Sequence, residues 1–385
     1  MIPHRPSIEQ RITAALDTTP ARIPWLIGAS GSGRTTTLLR LHETLSGDSQ
    51  YVDVERSATT PERFLSALKT SSPLTAPGAR PGEPPGTARA AFDATLAFFE
   101  RPHGERGATF LLDEVLEFRT FESFPGLRHT LRELVDTLAR SRNRFVLSSR
   151  YVARARRLLR DAPALFEPIE VPPLSADEVR HVLPGSSEHR VEEEVDELAR
   201  AVHALAGGRP VYVQALSDGL ARLDDAPNDP VGAMTALLMP GGLLSNACLM
   251  TYELRLHRAR GYGALKAILD VLAREQPLTL TEIAQRLHRT PGSTKDYLTW
   301  LEDVDLVTVT QKRYSITDPL LRLWVGLHCR PVPPSLEEVA QAVQQFALAR
   351  LPRGERQWAS AATERPVDVS VPVSTRKSWE IVEID

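Results

Sequence analysis

The segment Gly28-Ala29-Ser30-Gly31-Ser32-Gly33-Arg34-Thr35 limits what this chain can become more than any other stretch. It follows the apolar run Trp25-Leu26-Ile27 and precedes residues 36–45, where leucines at 38, 41 and 45 mark a helix face. A strand that breaks at glycines and resumes as a helix aims successive backbone N–H groups, and the positive helix end, at one point. That is a cradle for phosphate. The segment fits G-x-x-x-x-G-K-[ST] at every fixed position but one, because Arg34 stands in the lysine slot. Thr35, followed by Thr36, puts a hydroxyl where such loops ligate Mg2+. A Gly/Ser-rich turn that merely starts a helix is the plain alternative, so a second motif has to decide.

The apolar strand Phe110-Leu111-Leu112 supplies it by ending in Asp113-Glu114. In phosphate-loop proteins a carboxylate at Asp113 serves the metal, and Glu114 beside it is placed to polarise an attacking water. The next strand, Phe145-Val146-Leu147, ends in Ser148, Ser149 and Arg150, read either as polar groups that reach toward a terminal phosphate or as a simple strand-ending turn. Arg209 and Pro210, in the Gly207-Gly208-Arg209-Pro210 break between two helices, are expected to close over the phosphates. The expected catalytic set is Glu114, Arg34, Ser148 and Ser149. The nucleotide set is Gly28 through Thr36 with Arg209 and Pro210, the metal set is Thr35 and Asp113, and the ligands are ATP and Mg2+.

Around these motifs strands alternate with helices, which predicts a parallel α/β sheet with helices on both faces. Residues 7–18 read as a helix through Ile8, Ile12 and Leu16, and Tyr51 to Val54 as a strand. Pro61 opens a helix, and Phe92, Leu96 and Phe99 mark another before a turn at Gly104 and Gly107. Leu127, Leu131, Leu134 and Leu138 mark a long one. Five prolines and three glycines make 71–87 a flexible insertion. Phe118, Phe121 and Phe124 are read either as core beneath the long helix or as an exposed subunit contact. From the capping box Ser175-Ala176-Asp177-Glu178 onward the pattern is helical. Residues 262–325 read as a winged helix, with helices at Leu265–Leu272, Thr281–Leu287 and Thr294–Leu301 and a wing of Val307–Val309 and Tyr314–Ile316.

The expected divisions are a nucleotide domain at 1–171, a helical lid at 172–244, a winged helix at 245–328 and a tail at 329–385. In the tail a capping box at Ser335 starts an amphipathic helix bearing Leu336, Val339, Val343 and Phe346. Residues 352–378 read as disordered, and Trp379 to Asp385 as an apolar-acidic peptide that docks on a partner or on the chain itself.

Together with Tyr51-Val52-Asp53, the Gly-Gly-Arg-Pro break and Tyr314-Ser315-Ile316-Thr317-Asp318-Pro319-Leu320-Leu321-Arg322, these motifs resemble the archaeal-type ATPases of the AAA+/STAND P-loop group. The resemblance covers roughly residues 5–328. It implies a sheet in 5-1-4-3-2 order, a helical lid, a winged helix, and ATP-dependent switching through assembly with itself or a protein partner. It also implies a site completed by an arginine of a neighbouring subunit, for which Arg150, Arg154, Arg156, Arg157 and Arg160 are the candidates. Two departures count: the family keeps the loop lysine, and many members carry a nuclease-like domain that the short tail cannot supply.

Lysine occurs only at positions 69, 266, 295, 312 and 377, so Arg34 shares a chain-wide preference for arginine. A guanidinium is a planar fork and not a point charge, so the exchange predicts slow hydrolysis. The net charge of −3 draws no nucleic acid to the chain as a whole. DNA contact, with any bound nucleotide structural, is the alternative reading and would run through Lys295, Lys312 and Arg313. Two cysteines, Cys248 and Cys329, define no disulfide framework. No apolar run spans a membrane and no apolar secretory segment opens the chain, so a cytoplasmic location is expected.

Overall fold

The computed structural model describes residues 5–45, 48–74, 85–103, 107–183, 192–222, 229–256 and 261–361. Gly104, the middle of the 71–87 insertion and everything from 362 onward, including Trp379 to Asp385, lie outside the described residues.

Helix α1 (Pro6–Leu16) precedes strand β1 (Ile23–Ile27), and the glycine loop leads into α2 (Arg34–Thr44). Strand β2 (Ser49–Asp53) runs into the single turn α3 (Val54–Ser57) and then α4 (Pro61–Thr70). Val54 therefore leaves the expected strand: the Asp53 carboxylate accepts the Arg56 N–H at 2.9 Å and starts a helical turn there. Helix α5 (Ala88–Glu100) leads to β3 (Thr109–Asp113), a 3-10 stretch (Val115–Ser123) and α6 (Thr130–Arg140), which begins after Leu127. Strand β4 (Arg144–Ser149), α7 (Val152–Arg160) and β5 (Phe166–Glu170) complete this body.

The five strands are parallel in the order β2-β3-β4-β1-β5. Their period of two divides the core. Trp25, Ile27, Phe110, Leu112, Phe145 and Leu147 face α4, α5 and α6, while Leu26, Leu111 and Val146 face α1 and α2. Strand β5 is the one that sequence pattern does not place, because Pro168 interrupts it. Proline lacks a ladder N–H, and β5 lies on the sheet edge, where one side needs none. Phe118 and Phe121 are fully buried, with Phe118 4.8 Å and Phe121 5.9 Å in ring separation from Phe64. They are core, not an exposed contact.

The second body begins with α8 (Ala176–Arg180), whose capping box forms as expected, α9 (Glu192–Ala206), α10 (Pro210–Leu220), α11 (Pro230–Leu238) and α12 (Leu243–Leu256). Then come α13 (Tyr262–Arg274), β6 (Leu278–Thr279), α14 (Leu280–Arg286), α15 (Pro291–Asp303), β7 (Val307–Thr310), β8 (Arg313–Ile316) and α16 (Pro319–His328). Strands β6, β8 and β7 form the small antiparallel sheet of a winged helix. Helix α17 (Leu336–Arg350) and α18 (Gln357–Ala361) close the described chain. One core runs from Leu174 to Ala359, so lid helices, winged helix and α17 pack as one body. Residues 353–361, expected to be disordered, are ordered by contacts distant in sequence. Glu355, 4% exposed, pairs with Arg200 at 2.7 Å, and Ala359 is buried. Among the described residues no single helix is long and apolar enough to cross a membrane.

Truncating a ring at the centre of the phenylalanine cluster leaves a cavity that sheet and helices cannot close. Phe121→Ala should therefore lower stability by about 3–5 kcal/mol in urea unfolding.

Candidate functional site

The loop at 28–35 is shaped by its own glycines and by what lies across from it. Gly31 has φ +74°, and a Cβ there would stand 2.5 Å from a Val211 methyl group, so the start of α10 approaches the loop backbone directly. Gly33 is the N-cap of α2 and no side chain caps that helix. Its first-turn N–H groups therefore lack a side-chain acceptor and form an anion-binding end. These donors suit phosphate oxygens.

Thr35 donates its hydroxyl hydrogen to Asp113 Oδ2 at 2.7 Å, joining the start of α2 to the end of β3. Tyr51, from the middle of β2, donates to the same oxygen at 2.9 Å. Ser148 donates to Asp113 Oδ1 and accepts the Glu114 N–H at 3.0 Å. A hydroxyl and a carboxylate facing each other at the mouth of an anion cradle are hard oxygen donors of the kind Mg2+ takes. The residues present fit both groups.

Arg34 is turned into the loop. It is 5% exposed and donates through Nη1 to the carbonyls of Gly28 and Ala29, and to Ser32 Oγ at 3.0 Å. Nη2 meets Glu114 Oε1 at 2.7 Å. The other oxygen of Glu114 accepts the Arg150 N–H at 3.0 Å and lies 3.2 Å from Arg150 Nε, while Arg150 also pairs with Glu55. Burial alone would raise the Glu114 pKa, but the Arg34 and Arg150 cations outweigh it and hold the carboxyl below the ordinary glutamate value. Glu114 itself sits at φ 57°, ψ 47°, the left-handed region, in the turn that leaves β3.

The expected residues are thus brought together from the ends of adjacent strands: Arg34, Thr35, Asp113, Glu114 and Ser148 form one hydrogen-bonded set. Ser149 acts one step away, accepting the Tyr151 N–H at 3.1 Å and shaping the turn into α7. Pro210 opens α10 over the loop, whereas Arg209 is taken up by a carboxylate of the second body. Its Nη1 lies 2.7 Å from Asp318 Oδ2, and Tyr212 donates to the same atom at 2.7 Å. The 207–210 break is held instead by backbone. Gly208 at φ +63° lies where a Cβ would meet the Leu174 carbonyl at 2.5 Å, and its own carbonyl accepts the Leu174 N–H at 2.7 Å. Sequence reasoning does not place Tyr51 and Glu55 in the site. Only the β2–β3 adjacency marks them, since β2 and the turn α3 that follows it lie beside the strand that ends in Asp113.

Four of the five candidate bridging arginines are engaged within the chain. Arg150 holds Glu114 and Glu55, Arg154 and Arg157 hold Asp303, and Arg156 holds Glu170. On the winged helix, Lys295 and Lys312 are exposed, and Arg313 lies 3.6 Å from Glu282.

Comparison with solved structures follows this geometry. The chain is similar to the Walker-type ATPase of Pyrococcus abyssi, with a TM-score of 0.58 and 16% identity over 84% of this chain and 95% of that one. This is the fold of a Walker-type P-loop ATPase. Thermotoga maritima RuvB, a Holliday junction branch migration motor, aligns over 82% of this chain and 92% of its own, at 12% identity and a TM-score of 0.39. No family model matches the chain, and no curated protein matches it. The sheet order and the winged helix behind the P-loop body are those that the resemblance implies.

Removing Arg34 strips a buried carboxylate of one of its two cations. Arg34→Ala should cost about 3 kcal/mol at pH 7 by chemical unfolding. A carboxylate with a depressed pKa contributes stability above its unfolded pKa, and that contribution is lost as pH falls through the folded value. The gap between wild type and Arg34→Ala should therefore narrow below about pH 4.

Proposed function

We propose that this chain is an ATP-binding switch with slow hydrolysis, in which the nucleotide lies between the glycine loop and the start of α10. The observation that carries the reading is the dual engagement of Arg34, which lines the loop and at the same time neutralises Glu114. The N–H groups of 28–33 and of the first turn of α2 would hold the phosphates, and Thr35 and Asp113 would hold Mg2+. Bound Mg2+ supplies charge neutralisation on the phosphates. Ser148 fixes the rotamer of Asp113 and the backbone of Glu114, which sets where a water can stand. Glu114, ionised at neutral pH, is able to accept a proton from that water.

Slow turnover follows from competition for one cation. While Arg34 pairs with Glu114 it lowers the basicity of that carboxylate and is itself withheld from the phosphates. Lysine carries one compact charge and cannot bridge the loop carbonyls and Glu114 together as a fork does. The experiment is equilibrium ATP binding and phosphate release on wild type and two variants. Arg34→Lys should raise turnover, and Glu114→Gln should lower it on the order of 10²-fold with binding retained. A wild type that turns over rapidly and is slowed by Arg34→Lys removes this account of Arg34.

The switch reading also rests on the arrangement of two packed bodies that meet around one loop. A ligand preferring one arrangement shifts the population toward it, and surfaces that separate become available to another subunit or partner. Arg150, Arg154, Arg156 or Arg157 would first have to leave its carboxylate within the chain to act as the bridging arginine. Assembly should accordingly depend on ATP and Mg2+. Light scattering should show a larger particle with them than without, and a monomer in both conditions removes assembly from the proposal.

A further inference from the structure

We propose that Asp305, a residue of the winged helix, is a positioning residue for Glu114 and acts through the first turn of α7. The inference rests on the ATPase reading above and adds to it a residue remote from the glycine loop.

Helix α7 has no cap of its own: Tyr151 is the N-cap residue and makes no side-chain cap bond. The orphan donors are satisfied from the other body instead. Asp305 Oδ1 accepts the Ala153 N–H at 3.1 Å, and Oδ2 accepts the Val152 N–H. Asp305 is itself held. It adopts φ 55°, and its carbonyl accepts from Nη1 of the buried Arg255 at 3.1 Å. Two residues earlier, Asp303 at the end of α15 takes Arg157 at 2.7 Å and Arg154 at 3.7 Å. The winged helix thus grips α7 through two carboxylates.

The residues just before this grip hold the catalytic carboxylate. The Arg150 N–H and guanidinium meet Glu114 Oε2, Tyr151 N–H donates to Ser149 Oγ, and the Tyr151 hydroxyl donates to Glu117 Oε1 at 3.3 Å. Within residues 150–153, one carboxylate of the P-loop body binds the first N–H and one of the winged helix binds the last two. The Tyr151 ring packs against both cores. Hydrogen bonds weaken steeply with misalignment, so a shift of α7 released by Asp305 changes how Glu114 is held. The docked winged helix therefore sets the geometry of the hydrolytic carboxylate, and changes at Glu114 are felt by the winged helix.

The test uses the full chain with Asp305→Gly, which keeps the left-handed backbone without strain, and Asp305→Asn, which keeps an acceptor oxygen and tolerates that backbone. Three quantities are read: amide hydrogen exchange at Val152 and Ala153, the equilibrium ATP dissociation constant, and single-turnover phosphate release. Asp305→Gly should speed exchange at both amides roughly tenfold and slow phosphate release at least about fivefold, with ATP affinity within about twofold of wild type. Asp305→Asn should recover most of both effects. Faster exchange with unchanged phosphate release overturns the proposal, because Asp305 is then only a helix cap. Loss of ATP affinity in step with phosphate release also overturns it, since the defect then lies in binding. Absence of ATP binding by wild type instead rejects the ATPase reading, and the proposal with it.

Discussion

The contact between Arg34 and Glu114 is the constraint from which much of the rest of this site follows. A guanidinium and a carboxylate, both nearly excluded from solvent, are costly to bury. They persist only when most of their remaining hydrogen-bonding positions are filled. Here the loop carbonyls and Ser32 engage Nη1 of Arg34 while its buried Nε stays unpartnered, and Arg150 fills the second oxygen of Glu114. That requirement ties the glycine loop to the ends of β3 and β4, fixes the turn into α7, and leaves Thr35 facing Asp113. In the function proposed for this site, the same pair keeps Glu114 ionised while drawing off the charge that the loop would otherwise present to phosphate.

Two bodies meet around this network through contacts of different kinds. Val211 leans on Gly31, and Asp303 and Asp305 grip α7. Arg5 spans the same junction, donating to the carbonyls of Pro172 and Pro173 and meeting Glu178 at 3.1 Å. By contrast the lid helices, winged helix and α17 share one apolar core. A body with a continuous core moves as a unit, because separating its parts would expose that core. A junction made mostly of backbone bonds and ion pairs, with the Tyr151 ring and Val211 as its apolar contacts, exposes less apolar surface when it opens. Motion is therefore expected at the junction between the bodies.

The motifs with fixed local chemistry are legible in the chain itself. The glycine loop, Asp113-Glu114 after an apolar strand, the boxes at Ser175 and Ser335, and the winged-helix pattern each depend on neighbours within a few residues. The elements that pattern misplaces depend instead on competing or distant partners. Val54 reads as strand because its side chain is apolar, yet the Asp53 cap turns the backbone. Strand β5 escapes the pattern because a proline is tolerated only on an edge, and sequence alone does not say which strand is the edge. Residues 353–361 carry few apolar side chains, and Arg200 and the α17 face that order them lie elsewhere in the chain.

The sequence by itself determined the residue types and their local geometry: which loop cradles an anion, which carboxylates end a strand, which helices are amphipathic. These follow from steric limits on glycine, from hydrogen bonding at helix ends and from the periods of strand and helix. Only the tertiary structure decided where the long side chains point. Arg34 turns into its own loop and onto Glu114, Arg209 pairs with Asp318, and Asp305 reaches α7 in the other body. An arginine has several rotatable bonds and many accessible acceptors, so its direction is set by whichever buried carboxylate the fold brings within reach. That choice is a sum over the whole packed molecule, and no local pattern in the chain encodes it.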